Sequence, residues 1–459
     1  MPTHIRLRGS SRKKGGFFKI FFAALAVTCT LAAIFVAYLL FEFEKPTLVL
    51  DKQIKYLGGT VELPLHVADQ KSGIRSLTIS LTQGQTEAVL MERHFQRVAW
   101  FKPAGPATLN EKVVIDAQKA GIRQGEAELV IAVRDFSLNG LFKGNMTVQR
   151  IPVIMDTVPP KVALVHGQQV LQPGSTGLAV YTVAEQPERH GVMIDDTFFP
   201  GFPTGKKDTY VAYFALPWNA APPTRTRVVA FDEAGNEGTV PFAASFKKAP
   251  EKHDTITLSD QFFQQKLPEF EQHYPEMHGN LLEKYLYVNN QVRLSNAQKI
   301  AQVCAKADPN QLWSDRFLRM PGAGRANFAD QRTYLYNGQA VDNQTHLGVD
   351  IASIAKAEIR AANRGKVIFA EYLGIYGNMI IIDHGQGVAS LYSHLSSIET
   401  SVGALVDKNQ PIGRSGNTGM AGGDHLHFSM LIHGIFVTPR EWWDQHWINI
   451  TIKSALNES

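Results

Sequence analysis

Three short stretches near the end of the chain bring imidazoles and a carboxylate together. They are His346-Leu347-Gly348-Val349-Asp350, Tyr392-Ser393-His394-Leu395 and Asp424-His425-Leu426-His427-Phe428. Residues 425–430 alternate as a strand would, with His425, His427 and Ser429 on one face and Leu426, Phe428 and Met430 on the other, because side chains two apart on a strand share a face. Gly348 and the β-branched Val349 and Ile351 argue against a helix around His346 and Asp350, and on a strand residues four apart again share a face. Imidazole with carboxylate is a donor set that suits zinc, and three protein ligands with one open position mark a catalytic site. A lone His-x-x-x-Asp or His-x-His arises often by chance. Jointly they are harder to dismiss, since buried imidazoles and carboxylates without partners are costly.

The three stretches together resemble the lysostaphin/LytM-type zinc endopeptidases, which cut peptide bonds in bacterial peptidoglycan. The resemblance spans roughly residues 326 to 445. It runs through His346-x-x-x-Asp350, Gly365-Lys366-Val367, Gly377-Asn378, Ile380-Ile381-Ile382-Asp383-His384-Gly385, Tyr392-x-His394-Leu395, Gly403, Ile412-Gly413-x-Ser415-Gly416-Asn417-Thr418-Gly419 and His425-Leu426-His427-Phe428. It implies that His346, Asp350 and His427 ligate Zn2+ and that His394 and His425 are the catalytic histidines. No member of the pattern is missing, whereas some relatives of that family have lost ligands and only activate other wall hydrolases. Two neutral imidazoles and one carboxylate leave such an ion a net positive charge and a place for water, whose pKa zinc lowers toward about 7. One histidine takes the water's proton and passes it to the leaving amine, while the other stabilises the oxyanion. Either can be the base; a place two residues before a ligand favours His425. No glutamate stands in the motifs to take that role.

Tyr392, Asn378, Gly416 and Thr418 are candidates to line the substrate groove, with sheet packing as the alternative for Tyr392. The glycine-rich loop 413–423 lacks the Gly-Lys-Ser/Thr ending of a phosphate loop and feeds a strand, so it is read as a groove wall or a plain surface loop. His384 is expected in a turn or core, His433 and His446 at the surface, and Trp442, Trp443 and Trp447 in core closure or against the connector rather than on a sugar.

These residues need elements to hold them. Short β-branched and apolar runs punctuated by glycine, such as Val367-Ile368-Phe369-Ala370 and Met379-Ile380-Ile381-Ile382, predict a twisted antiparallel sheet for 326–445. The fold class expected is mainly β. Upstream, alternating runs such as Ser76-Leu-Thr-Ile-Ser-Leu81 and Arg225-Thr-Arg-Val-Val-Ala230 predict two β-sandwich modules, 46–157 and 158–248. A weak repeat supports two copies: Ala132-Val133-Arg134-Asp135 leads to Asn139, and Val229-Ala230-Phe231-Asp232 leads to Asn236. They look like tandem immunoglobulin-like modules of bacterial surface proteins. Residues 249–325 read as a helical connector, with Phe262, Phe263, Leu267 and Phe270 at helical spacings and Ser295-Asn-Ala-Gln298 as a capping box. Which neighbour the connector packs on stays open.

The chain has 459 residues and a formal charge of +4. Arg6, Arg8, Arg12, Lys13, Lys14 and Lys19 crowd the tail 1–19; without them 40 Lys and Arg face 42 acids, so no basic field points to nucleic acid. Residues 20–41 carry no charge and as a helix reach about 33 Å, enough to cross a bilayer. The run is long and ends in bulky Phe41-Glu42-Phe43-Glu44, which favours an uncleaved anchor over a cleaved signal. The basic flank places the N-terminus in the cytoplasm and the bulk outside the inner membrane, a periplasmic layout. Cys29 and Cys304 fall in the anchor and the connector, so no internal disulfide is expected. The function expected is zinc-dependent hydrolysis of peptidoglycan peptides. The alternative is a non-catalytic wall binder or an activator of another hydrolase, with a protein partner on the β-modules.

Overall fold

The computed structural model describes residues 15–40, 42–98, 104–249 and 251–457. Residues 1–14 of the basic tail, Phe41 at the end of the expected anchor and Pro250 of the connector lie outside them. The chain is mainly β. It divides into two compact units, Met1–Val158 with Glu233–Asn236 and Pro159–Asp232 with Glu237–Ser459.

The first unit begins with the helix Gly15–Leu40. Within it Phe18–Tyr38, 21 residues with none of its side chains buried, is long and apolar enough to cross a membrane. Its polar Thr28 and Thr30 hydroxyls donate to the carbonyls of Ala24 and Ala26 one turn earlier, which removes two orphan donors that a lipid environment would penalise. After it come a three-stranded and a five-stranded sheet. Leu63, Leu65 and Val67 of one sheet share a core with Leu77, Ile79, Leu129 and Ile131 of the other. Strict alternation along Thr60–Ala68 puts those three leucine and valine side chains on one face.

In the second unit two four-stranded sheets face each other. Ala179, Tyr181 and Phe214 of one meet Val192, Phe199 and Val228 of the other. The strands Thr176–Val183 and Thr209–Ala215 are buried on both faces. Their outer residues, Leu178, Val180, Val211 and Tyr213, join the core of the C-terminal sheet with Trp442. That explains their nearly unbroken apolar runs, which a half-exposed strand would not carry. The Trp442 indole donates to Thr176 Oγ1 at 3.0 Å, satisfying the one polar atom of a fully buried ring.

The C-terminal sheet has ten strands, and it too is covered on both sides. Ile380, Ile382, Tyr392, Phe428 and Met430 face the core shared with Trp442. Met379, Ile381, Leu391 and Leu431 face the other way, onto Phe263, Leu267, Phe270 and Val288 of the helical segment. The connector therefore packs on this sheet. It is not wholly helical: it opens with the strand Lys252–Leu258, which runs parallel to Asp330–Tyr336 and so joins a small side sheet. Its second helix, Leu281–Tyr287, is capped by a box of Asn280 and Glu283. The box expected at Ser295 is absent, because Ser295 lies inside the helix Arg293–Val303, entered through a π turn, Val288–Val292. A helix that runs on through a π turn has no free N-terminus there to cap.

His384 is in the core, bonded to Arg364 O and Ser390 Oγ, each at 2.7 Å. His433 is not at the surface. It is half-buried against the rings of Phe199 and Phe202, because the edge of the sandwich covers the turn that carries it. Burial drives both histidines down to about 4. Between that value and the ordinary 6.5 the unfolded chain binds more protons, so stability rises with pH across the window. The melting temperature of the protein is expected to fall by several degrees from pH 7 to pH 5, and less so in His433→Gln; a flat profile would contradict the buried neutral state.

Candidate metal centre

The strands Val349–Ala352 and Leu426–Ile432 lie side by side, with Asp350 opposite His427 in the register. Cross-strand neighbours present their side chains to the same face, here the face covered by the helical segment. His346 stands just before the first strand and reaches the same point. His346 Nε2, Asp350 Oδ1 and His427 Nδ1 form a triangle with all three edges at 2.9 Å. All three residues are buried.

The outer nitrogens decide what this triangle can hold. His346 Nδ1 donates to Asn327 O at 2.8 Å. His427 Nε2 donates to Ser429 Oγ at 3.1 Å, and that hydroxyl in turn donates to Leu347 O at 2.8 Å. A carbonyl only accepts, so the ring atoms facing it carry the protons and the inner nitrogens carry lone pairs. Two lone pairs and a carboxylate oxygen then converge at 2.9 Å, an arrangement that a cation relieves. The donors and the partners behind them match a zinc site, whose bonds run about 2.0–2.2 Å. Burial drives His427 down to about 4, keeping it in the neutral form that binds metal. Burial pushes the Asp350 carboxyl up, but the imidazoles around it pull it well below the usual carboxylate range.

His394 and His425 flank the triangle, with ring centroids 4.9 Å apart. His394 Nδ1 donates to Thr418 O at 2.9 Å, and His425 Nδ1 donates to Gly423 O at 2.8 Å. Each ring thereby turns its Nε2 lone pair free; that of His425 is 3.6 Å from Asp350 Oδ1. Burial, with His425 and His427 nearby, holds His394 well below its ordinary pKa. At His425 burial opposes the charge, and the Asp350 carboxylate outweighs it and raises the pKa. His394 has φ 62°, a left-handed backbone, at a shift of register where Ile380 pairs with Tyr392 but Asn378 pairs with Leu395. The extra residue is a bulge that re-aims the imidazole. All five residues expected at the site are thus together.

Of the groove candidates, Tyr392 faces away. It is buried in the core against Phe428, and its hydroxyl accepts from Ala362 N at 2.7 Å and from Ser390 Oγ at 3.0 Å. Without the bulge Tyr392 and His394 would share a face; with it they part. Asn378, Gly416 and Thr418 do not line the groove either. They brace it: Thr418 Oγ1 accepts from Asn378 N at 3.0 Å and donates to Leu395 O at 2.9 Å, and Gly416 bridges to His425. The loop walls the groove through Met420, Ala421 and Gly422. Lys266 donates to Asn417 O, and Glu269 accepts from Gly419 N at 2.6 Å, so the connector helix Asp260–His273 holds that loop. Sequence reasoning missed Arg332, whose Nη2 donates to Asp350 Oδ2 at 3.2 Å; no motif marked it. Ser429 was marked only by sharing the alternating face of His425 and His427.

Residues 344–439 match the model of Peptidase family M23, and the chain carries a domain of this LytM/lysostaphin type at its C-terminal end. Murein hydrolase activator EnvC of Escherichia coli is 36% identical over 95 residues, 21% of this chain and 23% of the relative. Peptidoglycan DD-endopeptidase ShyC of Vibrio cholerae is 34% identical over 127 residues, 27% of this chain and 29% of the relative. The chain thus spans less than a third of the length of these curated relatives. A solved peptidase M23 from Pseudomonas aeruginosa covers 59% of this chain and 94% of its own, with 19% identity and a TM-score of 0.37.

Gly348 sits against the ligands. A Cβ there would come within 2.5 Å of His427 Nε2 and 2.6 Å of Ser429 Oγ. Gly348→Ala is expected to weaken zinc binding about tenfold or more, read by competition with a chromophoric chelator, with the fold intact by circular dichroism. Unchanged affinity would contradict the packing described.

Proposed function

We propose that this protein is a zinc-dependent endopeptidase that hydrolyses peptide bonds of bacterial peptidoglycan. The observation that carries the reading is the triangle of His346 Nε2, Asp350 Oδ1 and His427 Nδ1, with outer ring atoms tied so that lone pairs point inward. Zinc bound there supplies Lewis acidity and a water acidified toward a pKa of about 7. The chain's own residues do the rest. His425 is placed beside a carboxylate that favours its charged form, which suits it to take the water's proton and pass it to the leaving amine. His394 is enclosed among other imidazoles and keeps its proton on Nδ1, toward Thr418 O. Its Nε2 is then an acceptor, which orients the water or a substrate N–H. It has no proton on that side with which to stabilise an oxyanion, the role expected for one of the two.

The helix Phe18–Tyr38 anchors the protein in the inner membrane, with the residues before it in the cytoplasm, those after it in the periplasm, and peptidoglycan within reach. The sandwich modules set that reach and offer a surface for a protein partner. The likeness to EnvC keeps one other reading in view, that of an activator of another hydrolase. Against it stands the complete donor set.

Digestion of purified peptidoglycan by the full chain in detergent separates the readings. The hydrolase reading expects cleaved cross-links, loss of cleavage with a chelator and return with zinc. His425→Ala is expected to keep its zinc and lose about 10²–10⁴-fold in kcat; His427→Ala is expected to lose both. Cleavage that survives in His427→Ala would sink the metal assignment. No cleavage, with stimulation of an amidase instead, would favour the activator.

A further inference from the structure

The groove at the metal centre has a volume of about 930 Å³ and extends from the five site residues along the helical segment. Its charged lining is lopsided. Among the described residues, and apart from histidines, it holds Arg293, Arg332 and one acid, Asp350. Asp350 is committed to the metal, so the free lining is cationic.

Three donors cluster there. Arg332 spends one of its five N–H groups on Asp350 Oδ2. Its Nε is buried and has no partner among the described residues. The Tyr285 side chain is 1% exposed, and its hydroxyl also lacks a partner. A buried hydroxyl left unpaired is costly, because burial takes away its water partners without replacing them. Arg293 binds Asn289 through Nε at 3.1 Å and Nη2 at 2.5 Å, which fixes its plane and leaves Nη1 without a bond among the described residues. Burial pushes the Tyr285 hydroxyl well above its ordinary pKa, so it stays a neutral donor, and both guanidiniums lie close enough to act on it. One acid stands nearby, Asp342, and it is already bonded to Asn289 and Asn290 at 2.7 and 3.0 Å. Arginine pairs and a hydroxyl are the donors that hold a planar carboxylate in two-point contact.

We propose that Arg293, Arg332 and Tyr285 form a subsite for a carboxylate of the substrate peptide, close to the bond that is cut. The inference rests on the peptidase reading and deepens it: the peptide cut at the metal carries a free carboxylate near the scissile bond, and an amidated counterpart is a poor ligand. A cation held by His346, Asp350 and His427 would draw on the Asp350 charge that otherwise holds Arg332, and would leave the Arg332 fork freer for an incoming anion.

The test is a pair of cross-linked stem-peptide dimers, identical except that the free carboxylates of one are carboxamides. Binding of each is measured by calorimetry to the zinc-loaded full chain carrying His425→Ala, so that neither is consumed. The carboxylate form is expected to bind at least tenfold more tightly. Adding Arg293→Gln or Tyr285→Phe is expected to bring that ratio below about threefold, with zinc content unchanged. Equal binding of the two dimers, or a ratio that survives both substitutions, would overturn the subsite. The peptidase reading fails separately, if the wild-type chain with zinc cleaves neither dimer nor whole peptidoglycan.

Discussion

Three lone-pair donors pressed together at 2.9 Å in a buried site are the constraint on which the rest of this domain depends. A carboxylate and two imidazoles with their protons turned outward repel one another unless something positive sits between them. What holds them there is hydrogen bonding behind the rings and the pairing of Asp350 with His427 across two strands. The register of that pair cannot slip, because one residue of slip would send His427 to the opposite face and Phe428 into the site.

The register is protected by the burial of the sheet on both sides. One face carries Ile380, Ile382, Phe428 and Met430 into a core shared with the second sandwich. The other carries Met379, Ile381 and Leu431 onto the helices of the connector. The metal site sits on that second face, so the connector is also the wall of the groove. Lys266 and Glu269 hold the loop whose carbonyl orients His394. Segments outside the three histidine motifs thus contribute to the geometry of the site. The same burial puts Arg293 and Tyr285 of the helical segment in the groove with Arg332 of the side sheet.

Much of the site was legible in the sequence because it depends on period. His425 and His427 share a face by alternation, and the apolar residues between them anchor their strand; His346 lies just outside the strand of Asp350, so its spacing marked the pair although the shared strand that spacing suggested is not there. What was not legible depends on departures from period. The bulge at His394 sends Tyr392 into the core and its neighbour into the site, and nothing in Tyr-Ser-His-Leu announces an extra residue. The strand Lys252–Leu258 reads poorly because most of it is exposed, so no alternation of burial marks it. Ser295 resembled a cap because a π turn, which carries no cap, precedes it. Arg332 sits on a strand with ordinary half-buried neighbours, and only its distance to Asp350 reveals it.

On the reading proposed for this site, one ion is shared by His346 Nε2, Asp350 Oδ1 and His427 Nδ1. Crystals of the C-terminal unit grown with zinc, with diffraction recorded on both sides of the zinc absorption edge, test it most directly. A single strong anomalous peak is expected within bonding distance of those three atoms, vanishing below the edge. An ion bound elsewhere, or no peak at the triangle in zinc-saturated crystals, would contradict it.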